Sequence, residues 1–501
     1  MVIGKRPTNH ATGYVVAVPP IEALSKTASK GRAMHESRLP GGSGVGLLEA
    51  IADFCRRQKM AESTFGRRAV NDGKFVARLR DGARITPETL ERIRTFFAAH
   101  GTDTPDNPIE LLPLIQVRPP ETRPATSHAR AGEFRFFDNR QKYLLFVNTC
   151  SEKQVVARRV GLELANIHPE PPALRVFDAG MGDGTVLTAV MRQMHRRFPT
   201  MPFYIVGKEI SLEDVRLSLD RMADRFYEHP ATVLVVTNMY YTEAPWLKPR
   251  SVSAATSLLW HELPLLGTTG DEFSEQIRGL APFLDENWQA RHAPSGNPLY
   301  DRPVVLVIYR DDYKFLLHDV IRQRTSAYAD YDLVIASQPY RARASLQFKA
   351  SRVLAPLARS LRPGGRLLGI HSCGDNPGLD VVRKVWPGEN PFTATRHDIL
   401  RAVKNELGRD ARLFNFNAYA DDRAVFRYDM HTLPTEIADS IGTSTLFAAW
   451  NAAVYVAQIE DERLKEALGT RRYLDATREV LQEHGRLWFL DESYVVSRKR
   501  G

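Results

Sequence analysis

Three glycines, each separated from the next by one residue, follow an aspartate: Asp178, Gly180, Gly182 and Gly184, in the string FDAGMGDGTVL. Glycine is costly inside regular structure, so this cluster indicates a backbone that bends sharply or meets a ligand closely. An apolar run precedes the cluster, and helical spacing of apolar residues resumes at Thr185. We therefore predict a strand-to-helix turn, whose free N–H groups can bind a nucleotide-like ligand. The alternative is a tight turn in an α/β domain that binds nothing.

The glycine spacing separates two kinds of nucleotide-like ligand. The dinucleotide fingerprint is G-x-G-x-x-G, and here the third glycine comes one place early. The string D-x-G-x-G-x-G-x-x-L resembles motif I of the class I S-adenosylmethionine-dependent methyltransferases, with matches at Asp178, Gly180, Gly182, Gly184 and Leu187. The resemblance implies that this loop wraps the amino-acid end of S-adenosylmethionine.

Three further segments resemble the same family. FYIVGKEIS carries Glu209, which the resemblance implies accepts hydrogen bonds from both ribose hydroxyls. TVLVVTN ends at Thr237 and Asn238, where the family contacts the adenine. Residues 357–374 resemble the family's helix, L-(K/R)-P-G-G turn and strand. The resemblance covers residues from about 134 to 501 and implies that S-adenosylmethionine is the cofactor.

Two segments compete for the fourth strand, past whose end the methyl acceptor is expected. YDLVIASQPYR contains SQPY, which resembles the (D/N/S)-P-P-(Y/F) motif of methyltransferases acting on the amino groups of adenine or glutamine. The resemblance implies that Ser337 and Tyr340 hold the acceptor, although Gln338 replaces the first proline. In the alternative, this is a strand end that only packs. The second segment, ATSLLWHELPLLG, offers His261 and Glu262 as a base and its orienting group, but neighbouring strand residues point to opposite faces.

Strand-like apolar runs alternate with helical stretches from about residue 134, which predicts an α/β, Rossmann-like fold with a mainly parallel twisted sheet. The last run, LWFLDESYVVSRK, predicts an antiparallel strand at the sheet edge. We predict four parts of the chain: a disordered segment (1–43), a small all-α helix-turn-helix domain (44–100), a proline-rich linker (101–132) and a methyltransferase domain (133–501) with an insertion at about 240–330.

Positive charge is concentrated near the N-terminus. Residues 1–100 hold 17 lysines and arginines against 9 aspartates and glutamates, whereas the other 401 residues hold 51 against 50. Residues 60–97 resemble the lambda-repressor-like helix-turn-helix family, with a recognition helix at about 74–79. The resemblance implies DNA contacts by Lys74, Arg78 and Arg80. Because one such module is small for tight specific binding, we expect a homodimer if DNA is the target. The alternative is a small helical bundle used for protein contact or dimerisation.

Composition excludes several other classes. No apolar run approaches the roughly 20 residues that span a bilayer, and no apolar stretch behind a basic start indicates a secretory signal. The three cysteines lie far apart, so we expect a cytoplasmic protein with neither a disulfide framework nor a metal site. The favoured function is methyl transfer from S-adenosylmethionine to an unidentified acceptor. Two alternatives are a transcriptional regulator that binds S-adenosylmethionine or a metabolite without turnover, and a DNA adenine methyltransferase.

Overall fold

The computed structural model describes residues 45–80, 89, 92–93, 95–97, 140–292, 298–432 and 441–500. The chain divides into two compact units, Met1–Thr126 and Ser127–Gly501, which are treated separately. The predicted disordered segment and linker lie outside the described residues. In the described ranges, no helix is both long and apolar enough to cross a membrane.

The first unit contains three described helices: α1 (Val45–Arg57), α2 (Glu62–Val70) and α3 (Phe75–Arg80). Phe54 and Phe65 are buried between them, with ring centroids 5.9 Å apart. The α2–α3 connection is tight, since a Cβ added at Gly66 would lie 2.3 Å from the Asp72 carbonyl oxygen. Most of the predicted fourth helix, from Thr86, lies outside the described residues. Three packed helices do not establish a helix-turn-helix function, which stays a prediction.

The second unit alternates strands and helices. Its strands are β1 (Leu174–Asp178), β2 (Phe203–Lys208), β3 (Thr232–Thr237), β4 (Leu259–Leu265), β5 (Ala290–His292), β6 (Pro298–Tyr300), β7 (Val304–Arg310), β8 (Tyr331–Ser337), β9 (Leu361–Cys373), β10 (Phe414–Asn417), β11 (Val425–Asp429) and β12 (Trp488–Arg498). Its α-helices are α4 (Arg140–Thr149), α5 (Glu152–Glu163), α6 (Thr185–Arg197), α7 (Leu212–Asp220), α8 (Ala223–Glu228), α9 (Val252–Thr256), α10 (Gly270–Arg278), α11 (Ala281–Asn287), α12 (Leu346–Phe348), α13 (Ala355–Arg359), α14 (Pro377–Val385), α15 (Arg396–Leu407), α16 (Asp421–Ala424), α17 (Thr443–Val456), α18 (Asp461–Leu468) and α19 (Arg472–His484). A π-helical turn, Lys349–Leu354, joins α12 to α13.

Among the described residues, the strands form a ten-stranded sheet in the order β10-β12-β9-β8-β1-β2-β3-β7-β4, with β11 beside β12 and β5 paired with β6 in a separate hairpin. Strands β9, β8, β1, β2 and β3 run parallel. Apolar residues are buried on both faces of β1, β2, β3 and β8, which is typical of a parallel sheet covered by helices on both sides. The mainly parallel α/β prediction is therefore confirmed.

The strand order identifies where a ligand site belongs. Chain order reverses at β1, because β2 lies on one side of it and β8 on the other. At such a switch point, a crevice opens outside the carboxyl ends of the strands. The glycine loop (residues 180–184), which follows β1, lies at this crevice.

The pairing decides which segment is the fourth parallel strand. β8 pairs directly with β1, with Val176 opposite Leu333, whereas β4 pairs with β7 at the far edge. The segment containing His261 is therefore not the fourth strand. Residues 240–330 supply β4 and β7, so they widen the sheet beyond β3.

The edge position predicted for the last strand is wrong. β12 is antiparallel, but it lies inside the sheet, between β9 on one side and β10 with β11 on the other. Its buried pattern is continuous over most of its length, as expected of an interior strand.

Candidate ligand-binding site

A cavity of about 820 Å³ opens at the carboxyl ends of β1, β2 and β8. This volume lies within the usual range for small-molecule sites, roughly 300–1,000 Å³. The lining combines backbone of the glycine loop, carboxylates, lysines and several tyrosines. It includes Gly180, Gly182, Lys208, Glu209, Tyr240, Tyr241, Ser337, Gln338, Pro339, Tyr340, Glu152, Lys153, Ser372, Tyr428 and Tyr455.

The three glycines of the loop have different physical roles. Gly182 and Gly184 adopt positive φ angles of 53° and 78°, which favour glycine. A Cβ at Gly184 would also lie 2.6 Å from the Ser218 hydroxyl oxygen, so this glycine allows α6 to begin close to α7. Gly180 is exposed and has an ordinary φ, and a Cβ there would meet only the Ser337 carbonyl oxygen, at 3.9 Å. The bare surface of Gly180 therefore keeps cavity space open.

Two buried aspartates fix the loop. Asp178 accepts a hydrogen bond from the Gly180 N–H at 3.2 Å, and burial raises the pKa of its carboxyl to about 7. Asp183 accepts hydrogen bonds from the Tyr143 hydroxyl at 3.1 Å and from Arg221 at 3.2 Å. The loop is thus fixed by Asp178 at the end of β1 and by Tyr143 on α4.

The carboxylate of Glu209 lines the cavity in direct contact with the glycine loop. Oε2 accepts the Gly182 N–H at 2.9 Å, and Oε1 accepts the N–H groups of Ile210 at 2.7 Å and Ser211 at 2.9 Å. These bonds fix the carboxylate at the end of β2. A carboxylate offers about four acceptor positions and three are used here, so about one remains, which neighbouring hydroxyl groups of a ligand would have to share.

Asn238 lies outside the cavity lining. Its side-chain amide donates to the Arg302 carbonyl at 2.9 Å and accepts the Val304 N–H at 2.8 Å, so it joins β3 to the start of β7. The cavity wall past β3 is instead formed by Tyr240 and Tyr241. The adenine contact predicted for Asn238 therefore has no support in its placement, because both ends of its amide are used by backbone.

The SQPY segment reaches the cavity in a different geometry from the motif it resembles. Gln338 has a φ of 50°, whereas proline is restricted to about −65°, so the backbone here cannot follow a D-P-P-Y motif. The Gln338 amide donates to the Ser372 hydroxyl at 2.9 Å and to the Asp491 carboxyl at 3.2 Å. Ser337 lines the cavity. Tyr340 lines it too, but its hydroxyl is 3.0 Å from the hydroxyl of Tyr494.

A buried acidic group lies behind this segment and was not predicted. Asp491 on β12 is fully buried, and burial followed by the nearby Glu152 carboxylate raises the pKa of its carboxyl to about 8. Glu152 lines the cavity and lies 3.2 Å from the Lys153 ammonium, which in turn is 5.6 Å from the centroid of the Tyr143 ring. No local motif marks these residues, because α5 and β12 are more than 300 positions apart in the sequence.

The remaining predicted residues lie elsewhere. His261, in β4, stacks on Phe283 of α11 with ring centroids 4.5 Å apart, and it does not line the cavity. In the first unit, Lys74, Arg78 and Arg80 are exposed. Arg78 pairs with Asp72, and Arg80 pairs with Glu62 at 2.9 Å. In the described part of the chain, no cluster of three or more His, Cys, Asp or Glu side chains has the arrangement of a metal site.

Comparisons with known proteins give likenesses of fold only. No protein-family model and no curated protein matches the chain. Among solved structures, a geranyl diphosphate C-methyltransferase from Streptomyces coelicolor A3(2) is 10% identical with a TM-score of 0.25, covering 68% of this chain and 78% of that one. A putative sarcosine dimethylglycine methyltransferase from Galdieria sulphuraria is 9% identical with a TM-score of 0.26, covering 74% and 92%. Phosphoethanolamine N-methyltransferase 2 from Haemonchus contortus is 9% identical with a TM-score of 0.23, covering 68% and 52%. At these values the likenesses assign neither an activity nor a ligand to this chain.

Proposed function

We propose that the second unit binds S-adenosylmethionine and transfers its methyl group to an acceptor that enters the same cavity. The observation that carries the proposal is the joint position of the glycine loop and Glu209. Bare backbone and a fixed carboxylate face one cavity and are joined by the 2.9 Å hydrogen bond between Gly182 and Glu209.

The residues present fit the two ends of that cofactor. Glu209 would accept hydrogen bonds from the ribose hydroxyls, because a carboxylate accepts and does not donate. The surface of Gly180 provides space for the amino-acid end, space that a Cβ at this position would fill. Lys153, on the Tyr143 side of the cavity, is the cation we assign to the cofactor carboxylate.

Methyl transfer at this site requires positioning more than acid–base chemistry. When bound, the cofactor supplies an electrophilic methyl group on a sulfonium centre. The protein has to hold the acceptor in line with that group, and such orientation contributes several kcal/mol to lowering a barrier. The segment 337–340 forms the wall beside Gly180, since the Ser337 carbonyl is the atom that a Cβ at Gly180 would meet. We assign Ser337 and the Tyr340 ring to the acceptor side of the cavity.

Calorimetry with S-adenosylmethionine and a labelled-methyl assay on cell extract test this function together. We expect binding, and transfer of label to one extract fraction, with both lost when Glu209 is replaced by alanine. Binding without transfer to any fraction would favour the sensor alternative. Absence of binding would contradict the proposal itself. A modified base in genomic DNA of an expressing strain would identify the acceptor as DNA, an outcome that the backbone of Gln338 does not favour.

For the first unit, we propose DNA binding through α3 and the residue before it. The supporting observation is the exposure of Lys74, Arg78 and Arg80 on a small helical unit with its own core. Basic side chains of this kind contact phosphates and base edges in helix-turn-helix proteins. A homodimer on DNA is part of this proposal, because a single module of this size covers little DNA surface. Salt-dependent binding of the full chain to duplex DNA, with its stoichiometry, tests both points.

A further inference from the structure

Lys208 is a buried cation that interacts electrostatically with the adjacent Glu209 but forms no ion pair with a described residue. The residue is 9% exposed, lines the cavity, and ends β2 directly before Glu209. Within the described residues its ammonium makes neither a hydrogen bond nor an ion pair, and its close contact is the Tyr241 ring, 4.9 Å away at the centroid. The hydrogen bonds that Glu209 accepts come from three backbone N–H groups and not from this ammonium.

Three other buried cations of the second unit do have hydrogen-bonded acceptors. Arg159 donates to Glu163 at 2.8 Å, and Arg396 donates to Glu492 at 2.7 Å. Lys349 donates to the Ala342 carbonyl at 2.8 Å. An ammonium that is largely withdrawn from water and has no protein acceptor is destabilised, and such groups are concentrated at functional sites. An unpaired ammonium that faces a cavity therefore indicates a ligand that supplies the missing anion.

The backbone of Lys208 contacts the glycine loop, since its carbonyl accepts the Met181 N–H at 3.1 Å, but its side chain contacts Tyr241 instead. Side chains alternate along β2, so Lys208 shares a face with Tyr204 and Val206. The hydroxyl of Tyr241, the same ring that the ammonium contacts, donates to the Pro339 carbonyl at 2.9 Å. The Tyr241 ring thus links the exit of β3 to the exit of β8, and the ammonium lies over this ring, which contacts the acceptor wall through Pro339.

We propose that Lys208 binds an anionic group, a carboxylate or a phosphate, carried by the methyl acceptor. This inference rests on the proposed function, because it assigns Glu209 and the glycine loop to the cofactor and the segment 337–340 to the acceptor. Burial lowers the pKa of the Lys208 ammonium, partly opposed by Glu209, and a bound anion would raise that pKa again. The substrate class is therefore a small molecule or side chain bearing an acidic group near the methylated atom.

The test uses the full chain saturated with S-adenosylhomocysteine and titrated with two probes, inorganic phosphate and acetate. We expect at least one probe to bind in a calorimeter, and Lys208→Met to weaken it by at least about tenfold, the scale of a lost charged hydrogen bond. The probe that binds more tightly identifies the acidic group. Lys208→Arg keeps the charge, and Lys404→Met removes an exposed lysine on α15, so both are expected to bind within about threefold of wild type.

Four results would overturn the inference, none of which requires the proposed function to fail. The first is that neither phosphate nor acetate binds to the wild-type complex. The second is that a probe binds to Lys208→Met as tightly as to wild type. A third is that Lys208→Met weakens S-adenosylmethionine but not 5′-methylthioadenosine, which lacks the amino-acid end, because the anion would then be the cofactor carboxylate. If Lys208→Met does not fold, a second experiment on the wild-type protein takes the place of the titration. In that experiment, acetic anhydride acetylates Lys208 and mass spectrometry measures the rate. Phosphate or acetate is expected to slow that acetylation, and an unchanged rate is the fourth contrary result. Failure of the protein to bind S-adenosylhomocysteine at all is a separate result, which contradicts the proposed function.

Discussion

Replacing Gly180 with alanine is expected to reduce cofactor binding without destabilising the protein. The added methyl group meets only the Ser337 carbonyl oxygen, at an ordinary contact distance of 3.9 Å, and the φ of Gly180 is not positive. Loss of glycine's freedom in the unfolded chain should then leave stability unchanged or raise it by about 0.4–1 kcal/mol. The same methyl group occupies space that the cofactor needs. A forced fit of this kind costs about 1–3 kcal/mol, or about 5- to 150-fold in affinity.

Gly184→Ala is the matched control, because its effects should run in the opposite direction. Its Cβ would lie 2.6 Å from the Ser218 hydroxyl oxygen at a φ of 78°, and strain of this kind costs about 1–3 kcal/mol of stability. Urea denaturation measures stability, and calorimetric titration with S-adenosylmethionine measures affinity. The reasoning is refuted if Gly180→Ala binds as tightly as wild type, or if it loses as much stability as Gly184→Ala.

Three further predictions follow from the same contacts. Glu209→Gln places an N–H donor where two backbone segments need an acceptor, so we expect the affinity for S-adenosylmethionine in calorimetry to fall at least about tenfold; unchanged affinity would remove Glu209 from the ribose site. Asp178 has a pKa of about 7 in the folded protein and about 3.8 unfolded, so the folded state holds the extra proton between those values and the Asp178 contribution to stability falls as pH rises from about 4 to 7. Asp178→Asn should flatten that part of a stability-versus-pH curve measured by urea denaturation, and an unaltered slope would contradict the pKa assignment. Replacing Lys74, Arg78 and Arg80 by alanine should weaken duplex binding and reduce its salt dependence in fluorescence anisotropy, whereas equal binding would favour the helical-bundle alternative.

Local sequence was sufficient for the loop because its requirements are local. The spacing of Gly182 and Gly184 follows from two positive φ angles within one strand-to-helix turn. Their neighbour Gly180 and the acidic residue Glu209 come from consecutive strands, which a βαβ unit brings to the same edge. The parallel sheet likewise follows from apolar runs that alternate with helices.

Features that depend on long-range strand pairing could not be predicted from the sequence. The segments that became β4 and β8 are both seven residues long, and the pairing of β8 with β1 identifies β8 as the fourth parallel strand. Asn238 stands where the family motif expects it, but β7 returns antiparallel beside β3 and uses its amide. The acidic residues Glu152 and Asp491 meet only after the whole sheet has formed, so their spacing in the chain carries no signal.

The backbone at residue 338 shows a smaller limit of motif matching. SQPY shares three of four residues with an amino-group methyltransferase motif. However, Gln338 has a positive φ, which the proline of that motif cannot adopt. One substitution therefore changes the shape of the acceptor wall. By sequence alone, SQPY is a partial match to the motif, whereas its backbone geometry differs from the one that the motif requires.

A crystal structure of the full chain with S-adenosylhomocysteine tests the central claim most directly. Our account predicts the nucleoside in the cavity beside β1 and β2, with the Glu209 carboxylate within hydrogen-bonding distance of both ribose hydroxyls and the amino-acid end against Gly180. An empty cavity in a saturated crystal, or a nucleoside bound with Glu209 turned away from the ribose, would contradict it.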